Sequence, residues 1–202
     1  MGTIKMVAAC VAALGVAGCG NFGQIANDVA PLVSAEAVSN PRDYTVADIN
    51  VVVPETLTVS EAHSYFPRAD IVWREDPPGD RREQIAAVLQ TAAERGTEGF
   101  AGAREVALNI EVVMFHALTE RARYSVGGVH DIDLLMSVTD AATGAVIEPP
   151  REINAALRGY GGARAVEANL SGDVPKVRLT EHLAGVFQAE LMGPVGGAGF
   201  TP

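Results

Sequence analysis

The side chains with the widest chemical reach are two histidines, His116 and His130, in a chain of 202 residues with four histidines and two cysteines. Each lies on a long run of alternating apolar residues. The first carries Val106, Leu108, Ile110, Val112, Met114, His116 and Leu118; the second carries Val126, His130, Ile132, Leu134, Met136 and Val138. A repeat of two puts such residues on one face of a strand. With the connecting turn centred near Arg123, the two imidazoles face each other, and an imidazole pair can take a transition metal. No further His or Cys lies close in sequence, so two half-buried, hydrogen-bonded histidines are the plainer reading. His63 and His182 stand alone. Asp131 and Asp133 share the polar face and read as solvated charges rather than an acid/base pair. The chain has no phosphate loop ending in Lys-Ser/Thr, and no serine in a Gly-x-Ser-x-Gly elbow. Gly159-Tyr160-Gly161-Gly162 lacks the strand-to-helix setting of a dinucleotide site. No cofactor and no catalytic group is expected.

Between the two runs, Glu120, Arg121 and Arg123 form a charged tip. A helix of about sixteen residues spans roughly 24 Å, whereas strands this long can exceed about 40 Å. The surplus is expected to project past the covering helices with Phe115 and Tyr124 on it. Phe115, Arg121, Arg123 and Tyr124 are therefore the candidate partner-binding residues. Trp73, the single tryptophan, is expected in the core, with an edge-strand anchor as the alternative.

The other reactive group is a thiol. Residues 1–19 read MGTIKMVAACVAALGVAGC: a positive Lys5, an apolar run from Met6 to Val16 too short to cross a bilayer, small residues, then Cys19. Val16-Ala17-Gly18-Cys19 resembles the lipobox of bacterial lipoproteins. That resemblance implies cleavage before Cys19, diacylation of its thiol, and a signal peptide over 1–18. Cys10 leaves with the leader, so Cys19 has no partner for an intrachain disulfide. Two or three acyl chains, at about 0.8 kcal/mol per buried methylene, anchor a protein firmly. Gly20, where an Asp would retain a lipoprotein at the inner membrane, favours the outer membrane by the same resemblance. Loss of Lys5 takes the formal charge from −10 to −11. So acidic a chain is unsuited to nucleic acid, and it is not expected to adhere to anionic lipid by its overall charge either.

The elements that must position these residues follow in order. Residues 19–43 form a lipidated tether. Tyr44 to Val53 is a strand whose Ala47, Ile49, Val51 and Val53 share a face. Ala69 to Arg74 is a second, short strand. Asp80 caps a helix running to about Arg95, with an Ile85, Val88, Leu89, Ala92 stripe, Arg81 and Arg82 outward, and Gly96 as its stop. Asp140 to Gly144 is a short hairpin loop. Pro149-Pro150 demotes the third long strand to an edge. Pro175 opens a last helix with Val177, Thr180, Leu183, Ala184, Phe187 and Leu191 at helical spacing. The expected fold is α+β: a mostly antiparallel sheet of four to five strands with two helices on one face, in the order ββαβββα. It forms a single domain over 44–192, with a flexible tail over 193–202.

That order behind a lipobox is similar to small envelope lipoproteins such as the lipopolysaccharide-assembly lipoprotein and the auxiliary lipoproteins of lipid-exporting ABC systems. The stretches ADIVWREDPPGDR, FHALTERARYSVGGVHDI and the DAATG turn resemble an uncharacterised alphaproteobacterial lipoprotein family over about Tyr44 to Leu191. The resemblance carries no activity with it. The function expected is that of a non-enzymatic, lipid-anchored protein on the periplasmic face of the outer membrane, acting through protein or lipid partners in envelope assembly or transport. The rival is a periplasmic metal-binding protein or hydrolase using His116 and His130.

Overall fold

In the computed structural model, which describes residues 42–193, the two alternating runs become the central strands of a six-stranded sheet. The chain divides into Met1–Val38 and Ser39–Pro202, and the described residues all belong to the second unit. The leader, Cys19, nearly all of the tether and the tail beyond Gly193 lie outside the described residues.

The elements are β1 (Tyr44–Val52), β2 (Ile71–Val72), α1 (Arg81–Thr97), β3 (Arg104–His116), α2 (Glu120–Arg123), β4 (Gly128–Asp140), β5 (Val146–Asn154), β6 (Leu157–Gly159), α3 (Ala163–Leu170) and α4 (Pro175–Met192). The class is α+β, with two short helices and one short strand added to the expected order. The sheet runs β1-β3-β4-β5, with β2 also on β3 and β6 also on β4. Pairs β3–β4, β4–β5 and β4–β6 are antiparallel, while β1 and β2 both run parallel to β3. A parallel neighbour needs a long crossover, and the chain from Pro54 through α1 supplies it.

One core fills the face covered by α1 and α4. Ile85, Val88, Leu89 and Ala92 of α1 are buried there as their spacing demands. Each such Ile, Val or Leu contributes roughly 1.5–3 kcal/mol. Asp80 caps α1, its carboxylate accepting from the amides of Arg82 and Glu83 at 2.8 and 3.3 Å. Pro175 occupies the first turn of α4. Gly144 has φ +71° in the β4–β5 loop, whose Asp140 carboxylate accepts from the Thr143 amide and hydroxyl. The open face is polar: the side-chain amide of Asn50 donates to Asn109, that of Asn109 to Thr139, and that of Asn154 to Asp133. Polar cross-strand pairs of this kind suit a sheet face left to water.

Several expectations are corrected. β3 carries a β-bulge between Val112 and Met114. The extra residue turns Val113 outward and moves the inward positions from even to odd numbers, so Phe115 and Ala117 are buried while Met114 and His116 are not. β1 has a similar shift at Ala47, which is exposed, whereas Ile49, Val51 and Val53 pack on the core. Gly96 does not stop α1. It lies inside the helix, where an added Cβ would land on the Ala184 carbonyl of α4. Arg81 is buried, its Nε 2.7 Å from Glu61. Val177 is exposed, and Leu179 and Val186 take its place among the buried residues of α4. The Pro149-Pro150 strand is indeed an edge.

Candidate functional site

The end of the sheet where β3 meets β4 differs from the rest of the surface. Pairing stops at His116 opposite Asp131, and residues 117–127 cross over through the helical turn α2. Thr119 caps that turn, accepting from the Ala122 amide and donating to the Ser64 carbonyl at 2.9 Å. The anchored 64–67 loop then faces the 126–129 segment across an open groove of about 500 Å³. Tyr65, Phe66, Pro67, Val126, Gly127 and Val129 line it, with His116 and Asp131 also on the lining. Phe66 is 90% exposed and Val126 78% exposed. Val126 stands on a loop, not on the strand face expected for it. Gly127 has φ +72° and lies against the Tyr160–Gly161 backbone, where a Cβ on Gly161 would strike Gly127. This close approach locks the 126–128 and 159–162 segments together.

Behind the groove sits a buried polar network. Arg123 is only 8% exposed. Its guanidinium donates to both oxygens of Glu75 at 2.6 and 2.8 Å, to Asn169 at 2.6 Å and to the Tyr124 hydroxyl at 3.1 Å. It thereby ties α2 to α3 and to the loop before α1. His130 is buried next to it and accepts from the Leu118 amide through Nδ1 at 3.2 Å. Burial, with Arg178 and Arg123 nearby, pushes its pKa down to about 4, so the imidazole is neutral.

The candidate partner-binding residues separate accordingly. Arg121 is exposed, its guanidinium 4.7 Å from the centre of the Tyr65 ring. Tyr124 is half exposed. Phe115 is fully buried and meets Trp73 edge-on, ring centres 5.6 Å apart. The expected projection of Phe115 and Arg123 is therefore corrected: the bulge sends Phe115 inward, and Glu75 holds Arg123 inside. Trp73 is a core residue whose Nε1 donates to Asp76 at 2.8 Å. The same bulge separates the histidines. His116 lines the open groove beside Asp131, with its Nε2 at the Ala69 carbonyl, whereas His130 faces the helices. Among the described residues no group of three or more His, Cys, Asp or Glu is placed to hold a metal.

Residues 44–198 match the model of a family of unknown function, DUF6778. The chain belongs to that family. No curated protein matches this DUF6778 chain. A similar solved structure is that of a "putative lipoprotein" from Caulobacter crescentus CB15, with 13% identity, 71% of this chain and 87% of that chain covered, and a TM-score of 0.31. A likeness at that score says nothing about function. No described helix of the DUF6778 chain is long and apolar enough to cross a membrane.

The site has one further feature that the sequence did not single out. Most basic side chains of the described domain have a carboxylate partner: Arg42 with Glu148, Arg74 and Arg81 with Glu61, Arg95 with Glu181, Arg123 with Glu75, Arg151 with Glu190, Lys176 with Asp76 and Arg178 with Asp173. Arg121, Arg158 and Arg164 have none and lie at this end; Arg82 at the start of α1, which meets the Glu55 and Leu57 carbonyls, and the exposed Arg104 at the start of β3 have none either and lie elsewhere. Arg158 and Arg164 line a second hollow, which shares Val126, Gly128 and Val129 with the groove. Arg68, directly after Pro67 and exposed, has no carboxylate partner either. The one local signal was Tyr65-Phe66-Pro67, two aromatic residues held before a proline in an otherwise irregular stretch.

Proposed function

We propose that this protein is a lipid-anchored, non-enzymatic envelope protein at the outer membrane that works by binding, and that the end carrying the groove is its binding end. The carrying observation is the apolar groove bordered by arginines without carboxylate partners, in a chain of formal charge −10. Exposed apolar residues become meaningful when they cluster, and unpaired cations beside them add a preference for a negative partner. The chain enters the domain at Arg42, beside β1, whose Tyr44 pairs with Arg104 at the opposite end of β3. A strand of that length separates the point of entry from the groove by roughly 40 Å. The metal-site reading of His116 and His130 gains no support from imidazoles on opposite faces.

The anchor is tested by Cys19→Ala. The variant is expected to lose palmitate incorporation and membrane association, while its melting temperature stays at the wild-type value. Normal palmitate labelling of the variant would overturn the anchor.

A further inference from the structure

We propose that the arginine-bordered end docks on an anionic phospholipid bilayer, with Phe66 and Val126 entering the acyl boundary and Arg121, Arg158 and Arg164 meeting the phosphates. The inference rests on the reading that this end is the binding end, and it names what is bound.

Phe66 and Val126 are highly exposed, stand on separate loops and both line the groove. A protein interface needs a closely matched surface of about 800 Å² on each partner. A bilayer needs no such match and accepts apolar side chains from several loops at once. The cations are the second observation. Arg121 rests over Tyr65, and Arg164 lies 4.2 Å from the centre of the Tyr160 ring. Cations held on aromatic rings rather than by carboxylates keep their donors available to phosphate oxygens. Tyrosine is also suited to the headgroup level, where one end of the side chain is wet. The third observation is charge. An anionic bilayer repels a chain of formal charge −10, so only an end carrying local positive charge can approach it.

The test mixes the purified full chain, with or without lipid on Cys19, with phosphatidylglycerol or phosphatidylcholine vesicles and reads amide hydrogen exchange by mass. Exchange in 64–68 and 125–129 is expected to slow about tenfold with phosphatidylglycerol and to stay unchanged with phosphatidylcholine. The Arg121→Glu/Arg164→Glu variant should lose that protection, as should Phe66→Ser, whose exposed position leaves the fold intact. Equal exchange in the two vesicles would overturn the proposal. So would protection that appears only when an envelope protein fraction is added, which would assign this end to a protein partner. Acylation is read separately by intact mass, so failure of the anchor and failure of the docking are told apart.

Discussion

At the residue scale, His130 shows how burial replaces chemistry. In an unfolded chain its imidazole titrates near pH 6.5; in the folded domain desolvation holds it neutral down to about pH 4. The neutral ring is needed, because Nδ1 accepts from the Leu118 amide. The folded pKa is depressed, so the unfolded state binds the extra proton. Stability from this group is complete above about pH 6.5 and is lost as the pH falls toward 4. The gap between the two values is worth about 3 kcal/mol. His130→Gln keeps an acceptor for Leu118 and removes the titration. Urea unfolding from pH 7 to pH 4 should show wild type losing about 3 kcal/mol more than the variant. Superimposable profiles would mean that the ring is solvated. The same site explains why Arg123 is no surface contact: bound by Glu75, Asn169 and Tyr124, it holds the groove's supporting wall in place.

At the element scale, the contact between α1 and α4 turns on glycine. Gly96 allows the α1 backbone to lie against the Ala184 carbonyl, and any side chain there must push the helices apart. Overpacking of this kind costs about 1–3 kcal/mol. Gly96→Val should lower the melting temperature by about 5 °C, on the usual scale of 2–4 °C per kcal/mol for a domain of this size. Gly185→Ala is the counterpart. Nothing lies within 4 Å of a Cβ at Gly185, so the gain in helix propensity of about 1 kcal/mol should raise the melting temperature. Calorimetric scans of the two variants check both signs, and a tolerated valine at position 96 would remove the close contact. The bulge in β3 is the other decisive element, because one added residue reverses which side chains face the helices.

At the scale of the whole molecule, a buried ionic cluster fastens the end of the sheet opposite the groove. At the end where the chain enters, Arg104 is exposed, but Arg42 and Arg151 are held by carboxylates. Arg42 and Glu148 form a buried ion pair at 2.9 Å, and the Tyr44 hydroxyl donates to the same carboxylate at 2.9 Å. Burial and Glu148 push the Tyr44 pKa up to about 12. Arg42 also reaches the Glu190 carbonyl, and Arg151 pairs with the Glu190 carboxylate, so β1, β5 and α4 are fastened together. Removing one partner of a buried pair typically costs about 3–5 kcal/mol. Glu148→Ala should lose stability of that order in urea unfolding, with little dependence on salt because both groups are shielded. A loss below about 1 kcal/mol would show that water replaces the carboxylate. At the far end Arg123 is held by Glu75 while Arg121 and Arg164 rest on tyrosine rings, and the proposed contact with lipid belongs there.

What the sequence determined by itself was local. The alternation of Ile132, Leu134, Met136 and Val138, the Asp80 cap, the Ile85-to-Ala92 stripe, Pro175 in a first turn and the proline-bearing edge strand are all readable because period, capping and proline sterics act within a few residues. The Cys19 reading likewise rests on its immediate neighbours, and it falls outside the described residues. What only the tertiary structure decided was everything that joins distant segments. No local mark announces the bulge at Val113, the parallel placement of β1, or the burial of Arg81 and Arg123 by glutamates 20 and 48 residues away in sequence. The groove is assembled from residues 65–67, 116–118, 126–129 and 131, with Arg158 and Arg164 brought beside it by the packing of Gly127 on Gly161. Which side chains stay exposed depends on the sum of all such contacts, and that sum exists only once the chain has folded.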